Sequence, residues 1–250
     1  MQEFIALANS LADGAGEIAK QYFRTPFTVE QKGDNSPVTI ADRAIEKKMR
    51  EMIEAARPED GIFGEEFGKK AGTSGYTWVL DPIDGTKSFV IGRATFGTLI
   101  ALCEDETPIL GVIDQPILGE RWVGDGKQTT FNGTVVKTAP CGSLDSARIG
   151  STTPAMFSEV GAVYKNFNEG RFFWGGDCYQ YGLMASGFVD VIIEAGLQPY
   201  DYLALAPIVT GAGGVISDYE GKPLTLASDG CVIALGAPNL QEEALRRLKG

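Results

Sequence analysis

Trp78-Val79-Leu80-Asp81-Pro82-Ile83-Asp84-Gly85-Thr86 is the stretch that decides how this chain is read. An apolar run delivers two carboxylates, three positions apart, and a Gly-Thr pair follows them. Hard divalent cations such as Mg²⁺ take oxygen ligands and commonly bind through a few carboxylates plus substrate phosphate. Pro82 fixes one φ angle and lacks an N–H, so the sequence predicts that the chain leaves a strand here in a stiff turn. Such a turn aims both carboxylates, and the Ile83 carbonyl between them, at one point. Gly85 lets the backbone come close to a ligand, and Thr86 supplies a hydroxyl beside a helix start. An Asx-Pro turn at a strand end is common by itself. Asp-Pro-x-Asp-Gly-Thr as a whole is far less expected by chance, and it reads as a metal–phosphate site.

Three flanking segments carry further acids. Gly64-Glu65-Glu66 lies a short loop before the Asp81 strand, which makes it a candidate source of a third metal carboxylate, although paired acids are usually solvated surface features. Upstream, Lys32-Gly33-Asp34-Asn35-Ser36-Pro37-Val38-Thr39-Ile40-Ala41-Asp42 precedes a helix. Thr39 and Asp42 fit a capping-box-like pattern there, and Asp42 is also placed to orient the Thr86 hydroxyl. Downstream, Asp201 in Pro199-Tyr200-Asp201-Tyr202 opens a helix, where the helix dipole alone would account for an acid.

The 250 residues, 44% of them hydrophobic, suffice for a sizeable core in one large domain or two intimate lobes. A net charge of −11 is the wrong sign for a nucleic-acid surface; an acidic protein still holds phosphate where bound cations dominate the local field. No apolar stretch is long enough to span a bilayer. Met1-Gln2-Glu3-Phe4 lacks a basic n-region, so no signal peptide is expected. Cys103, Cys141, Cys178 and Cys231 include no Cys-x-x-Cys pair and read as reduced thiols of a cytoplasmic protein. The chain has no histidine. That excludes a Ser-His-Asp triad, a Cys-His pair, histidine-ligated zinc and a histidine general base. Hydrolysis here must use carboxylates, hydroxyls and metal-bound water.

Helical spacing from Phe4 to Phe23 predicts a first amphipathic helix, and Ile45, Met49, Met52 and Ile53 predict a second from about Ile40 to Ala56, stopped by Pro58 and Gly61. Residues 25–38 are polar and rich in turn formers. From Thr77 to about Thr138 the pattern is strand-like, with turns at Glu104–Thr107, Pro116–Gly119 and Gly124–Lys127. This predicts a meandering sheet carrying both helices on one face. Thereafter strands at Arg148–Ser151, Phe188–Glu194, Gly214–Ser217 and Cys231–Leu235 alternate with helices at Asp177–Ser186, Tyr202–Gly211 and Leu240–Leu248, an α/β pattern. The boundary falls near 138–145, giving an α+β lobe over 1–140 with most of the metal ligands. An α/β lobe over 141–250 carries the last ligand and the specificity residues.

In this order, the Asp42 segment, Gly-Glu-Glu, Asp-Pro-x-Asp-Gly-Thr and the late Asp201 followed by Gly211-Ala212-Gly213-Gly214 resemble the inositol-monophosphatase superfamily of Mg²⁺-dependent phosphatases. The resemblance covers nearly the whole chain. It implies a layered αβαβα sandwich of the inositol-monophosphatase/fructose-1,6-bisphosphatase type, with the active site between the lobes, and homodimers. It implies that Glu65, Asp81 and the Ile83 carbonyl hold one metal, and that Asp81, Asp84 and Asp201 hold a second. Gly85 and Thr86 then contact the phosphate, and Asp42, Thr86 and Glu65 are the catalytic groups, Asp42 and Thr86 positioning the water. The role of Glu66 stays open. Inositol-specific members usually read Asp-Gly-Thr-Thr-Asn-Phe and Trp-Asp, whereas this chain has Asp84-Gly85-Thr86-Lys87-Ser88-Phe89 and Tyr200-Asp201. In these departures it looks like the histidinol-phosphate phosphatase branch.

The expected activity is hydrolysis of a small phosphate monoester, histidinol phosphate, by in-line attack of water activated by two or three Mg²⁺ ions, without a phosphoenzyme. Inositol-1-phosphate or a broader set of sugar phosphates is the alternative. The substrate's ammonium and imidazole call for acceptors. Asp177, in Gly175-Gly176-Asp177-Cys178, and Glu194, at the family position that reads substrate hydroxyls, are the candidates; an N-cap role explains Asp177 equally well. A haloacid-dehalogenase type also shows Asp…Asp-Gly-Thr, but with one residue between the acids, the first of them a covalent nucleophile. A non-catalytic phosphate or metal binder would have no need of a water-orienting pair.

Overall fold

The computed structural model describes residues 1–25, 29–31 and 37–250, with side chains from 1–25 and 40–250. Residues 32–36 and the Thr39 side chain, on which the capping reading rested, lie outside the described residues. Helix α1 (Gln2–Tyr22) buries Phe4, Ala8, Leu11, Ala12, Ala15 and Ala19, one stripe at three- and four-residue spacing. Strands β1 (Val29–Gln31) and β2 (Pro37–Thr39) pair antiparallel. Helix α2 (Ile40–Ala56) buries Ala41, Ile45, Met49 and Ile53, and, in the same stripe, the acids Asp42 and Glu46.

Eight strands follow: β3 (Gly61–Gly64), β4 (Gly68–Lys70), β5 (Tyr76–Asp84), β6 (Gly97–Glu104), β7 (Thr107–Gln115), β8 (Glu120–Gly124), β9 (Thr129–Phe131) and β10 (Thr134–Val136). Their spatial order is β10-β9-β8-β7-β6-β5-β3-β4. All neighbours are antiparallel except β3 and β5. A short helix α3 (Thr86–Val90) leaves the end of β5. The expected turn at Pro82 is a bulge instead. Strand β5 keeps pairing with β6 through Asp84, but Asp81 faces Leu99 and Asp84 faces Gly97, three steps on one strand against two on the other. Residues three apart on a regular strand point to opposite faces; the extra residue re-aims Asp84 to join Asp81. The Pro82 carbonyl, taken out of the ladder, accepts the buried Thr98 hydroxyl at 2.8 Å.

The second sheet comprises β11 (Ile149–Ser151), β12 (Phe172–Trp174), β13 (Val191–Glu194), β14 (Val215–Ser217) and β15 (Val232–Leu235), ordered β12-β11-β13-β15-β14. Helices α4 (Tyr179–Ala185), α5 (Pro199–Tyr202), α6 (Leu205–Gly211) and α7 (Gln241–Lys249) complete it. The helix expected over Tyr202–Gly211 is thus two short ones, and that expected from Asp177 starts at Tyr179.

Alternation along β5 builds the layers. Trp78 and Leu80 face α1 and α2, whereas Val79 faces α4–α6. Ile192, Val232 and Ala234 cover the far side of that middle layer, and Val191, Ile193, Ile233 and Leu235 pack outward against Leu240, Ala244 and Leu248 around α7. The result is helix–sheet–helix–sheet–helix, the layered sandwich that the sequence resemblance implies. The middle helices lie close on the first sheet because Gly111 and Gly124 have no side chain: a Cβ there would strike the Ala204 carbonyl and the Ile208 backbone.

Candidate active site

Asp81 and Asp84 come from the bulged end of β5 and Asp201 from α5. One carboxylate oxygen of each lies within 4.8 Å of the others. Asp81 is 2% exposed, and its Oδ1 is buried without a hydrogen-bond partner among the described residues. Among those residues, no Lys or Arg pairs with any of the three. Burial, then the charges of Glu65, Asp84, Asp201 and Asp42, hold Asp81 well above the usual carboxylate range. Asp84 is raised likewise by burial, Asp177 and Asp201, against the Cys178 thiol and the Cys178 N–H, the latter bonding its Oδ2 at 2.5 Å. Asp201 is pushed up to about 7, chiefly by burial, with Glu65 adding to it. The Gln198 N–H, 2.7 Å from Asp201 Oδ2, opposes the shift. Carboxylates this close share protons or need a cation. An oxygen-only donor set with a buried oxygen left over fits a hard divalent ion.

The other predicted groups converge on this cluster. The Glu65 N–H donates to the Leu80 carbonyl at 3.2 Å, seating Glu65 beside the end of β5, and its charge is felt at both Asp81 and Asp201. Asp42, in the first turn of α2, is 1% exposed and also bears on Asp81. The Ile83 side chain is buried in the outer core while its carbonyl accepts the Thr86 hydroxyl at 3.1 Å. Gly85 has φ +79°, in the left-handed region, and caps α3. Glu66 is turned toward Arg43, with Oε2 3.5 Å from its Nε.

Asp177 is no helix cap. It stands at φ +47°, before a helix whose N-cap, Cys178, makes no side-chain cap bond. Its Oδ2 accepts Ser88 Oγ at 2.6 Å and Thr95 Oγ1 at 3.4 Å. Glu194 ends β13, buried, and accepts Thr152 N–H (3.1 Å), Thr152 Oγ1 (2.6 Å), Gln180 Nε2 (2.9 Å) and Tyr181 OH (2.8 Å). Burial raises it to about 7 against these bonds. Asp84, Asp177, Glu194 and Asp201 line one cavity of about 90 Å³ with Thr152, Met156 and Tyr181. A larger groove, about 880 Å³, runs between α1 and β7–β8. Its buried carboxylate, Asp114, is already bonded to Arg121 at 2.7 Å, and among the described residues it holds no converging acids of the β5 kind.

Glu46 is a residue that the motif reading passed over. Its carboxylate accepts the Glu66 N–H (2.6 Å), the Phe67 N–H (3.2 Å) and Arg50 Nε (2.7 Å), so α2 holds the loop that carries Glu65. Gly64 is required beneath it, since a Cβ would run into the Glu46 carboxylate. The signal was a Glu within the apolar stripe Ile45–Met49–Ile53, four residues before an Arg.

A two-sheet sandwich with an acidic, cation-ready cluster where the first sheet and a middle-layer helix meet defines a metal-assisted phosphatase type of site. The profile of the inositol monophosphatase family matches residues 1–249, and the chain belongs to that family. It is a phosphatase, a phosphoric monoester hydrolase. Members of the family are typically metal-dependent. The chain is 45% identical to a "Bifunctional phosphatase IMPL2, chloroplastic" of Arabidopsis thaliana, over 100% of this chain and 76% of that one. It is 35% identical to a "Histidinol-phosphatase" of Chlorobaculum parvum, over 93% and 92%. An inositol monophosphatase structure from Zymomonas mobilis superposes with a TM-score of 0.90 at 47% identity, over 100% and 98%. Among the described residues no helix is long and apolar enough to cross a membrane.

Proposed function

We propose that this phosphatase hydrolyses histidinol phosphate with Mg²⁺, serving histidine biosynthesis as a cytoplasmic homodimer. The observation that carries the substrate is the cavity beside the metal cluster: besides the metal ligands Asp84 and Asp201, the carboxylates of Asp177 and Glu194 line it, and among the described residues no Lys or Arg does. A wall of that kind suits a substrate that brings its own cationic groups beside the phosphate. The likeness to a histidinol-phosphatase supports the same reading.

Glu65, Asp81, Asp84, Asp201 and the Ile83 carbonyl would hold two or three Mg²⁺ ions, with the lobe over 1–140 supplying all but Asp201. When bound, the ions neutralise phosphate charge, lower the pKa of water and stabilise the leaving alkoxide. The chain's own residues do the rest. Gly85, free of a Cβ at its left-handed turn, and Thr86 receive the phosphate at the start of α3. Asp42 and Thr86 orient the attacking water, with the Thr86 hydroxyl held by the Ile83 carbonyl. Asp177 and Glu194 accept from the ammonium and imidazole, and Glu194 is preset for this by Thr152, Gln180 and Tyr181. Inositol-1-phosphate is the second reading, favoured by the high identity to an inositol monophosphatase structure.

Phosphate release with Mg²⁺ on the two substrates side by side, compared as kcat/KM, tests the proposal. Histidinol phosphate is expected to lead by at least about tenfold, about 1.4 kcal/mol of differential transition-state binding. Equal rates, or a lead for inositol-1-phosphate, would overturn the substrate while leaving the metal chemistry in place.

A further inference from the structure

The Asp177 carboxylate is fixed from the first half of the chain. Ser88, buried on α3, donates to its Oδ2 at 2.6 Å, a length proper to a bond on an ionised acceptor. Thr95, in the segment before β6, donates to the same oxygen at 3.4 Å. The side chain lies on Gly85: a Cβ there would stand 2.6 Å from Asp177 Cγ. Lys87 and Arg93 are near enough for their charge to be felt. Both hydroxyl bonds fall on one oxygen, which leaves Oδ1 for a ligand in the cavity shared with Asp84, Asp201 and Glu194. Gly85 is also where the phosphate is received on our reading. An acceptor packed against it therefore sits a short, fixed span from the ester, as the amine of a 2-aminoalkyl phosphate does.

We infer that Ser88, supported by Thr95, is a positioning residue. It locks the Asp177 carboxylate over Gly85 so that the remaining oxygen meets the ammonium of a 2-aminoalkyl phosphate, and selectivity for the amine runs through the Ser88 hydroxyl. This rests on the reading of Asp177 as substrate-binding.

The test compares histidinol phosphate with its deamino counterpart, an imidazolylpropyl phosphate, as a ratio of kcat/KM in each variant with Mg²⁺. The wild-type enzyme is expected to favour the amine. S88A should cut that ratio about tenfold, mainly through KM, and T95V by a smaller factor. S88T, which keeps the hydroxyl, should restore most of it. In a D177A background S88A should leave the ratio unmoved, because residues acting through one group are not additive. A wild-type enzyme indifferent to the amine would refute the Asp177 reading itself. A wild-type preference that survives S88A and T95V undiminished would refute the positioning role alone, as would an equal S88A loss in the D177A background. Should S88A fail to fold, the T95V ratio decides.

Discussion

Asp60 is 1% exposed, and three side chains lean on it through four donor atoms. Arg57 Nε donates at 3.0 Å, Arg57 Nη2 at 3.4 Å, Ser74 Oγ at 2.7 Å and the indole N–H of the fully buried Trp78 at 3.0 Å. Burial alone would raise this carboxyl, but the Arg57, Ser74 and Trp78 bonds outweigh it and hold Asp60 below the usual range. A folded-state pKa below the unfolded one gives stability that is present above about pH 4 and lost as pH falls through the folded value. D60A should therefore cost on the order of 3 kcal/mol near neutral pH, since it strands a buried indole donor and an arginine. The gap between D60A and wild type should close in acid. Urea titrations at neutral pH and near pH 3 would check this; a gap unchanged at low pH would contradict it.

At the scale of elements, Gly111 and Gly124 set the distance between the first sheet and α6. G111A should push the helix off β7 and destabilise by roughly 1–3 kcal/mol or more, seen as a lower midpoint in thermal melts; a melt at the wild-type temperature would mean that the layers yield freely. Much of this architecture was legible beforehand. Helices α1 and α2 announced themselves through three- and four-residue spacing, and the strands of the first sheet through the turns at 104–107, 116–119 and 124–127. The bulge was not legible, because Pro82 predicts a turn and a bulge equally; only pairing with β6 decides. Nor was β12, three residues lying after the short 3₁₀ turns at Pro154–Phe157 and Val163–Asn166, a stretch with no sustained period. Asp177 was read as helical since Gly-Gly-Asp carries no local sign that it will turn left-handed. The convergence of Asp42, Glu65, Asp81, Asp84 and Asp201 followed from motif order. Glu46, Ser88 and Thr95 escaped because each acts on another residue rather than within a motif.

For the whole molecule, the acidic cluster joins parts that are remote in sequence but packed together in the fold, β5 in the first sheet and α5 after β13. A divalent ion seated there binds the folded chain and not the unfolded one, so it should raise stability by about 2.7 kcal/mol at a hundredfold excess over Kd, about 5–10 °C in Tm for a chain of this size. Chelation should reverse the shift. D201N should abolish most of it yet leave the metal-free form no less stable, because one of three crowded, raised carboxylates is gone. Calorimetry with Mg²⁺ and with EDTA reads both effects; an undiminished Mg²⁺ shift in D201N would place the ion elsewhere.

The clamp on Asp84 has one more consequence. Its donor is the main-chain N–H of residue 178, which every amino acid except proline possesses. The Cys178 thiol bonds the same carboxylate, so replacing that side chain weakens the hold on a proposed metal ligand without abolishing it. The cavity wall at 178 has little room to grow, because the thiol is buried and lies against Gly97, so the range of esters admitted must shift through other lining positions such as Thr152 and Met156 while the hydrolytic centre stays as it is. Position 178 thus ties the shape of the substrate wall to the hydrolytic centre, and a change there should be felt in both.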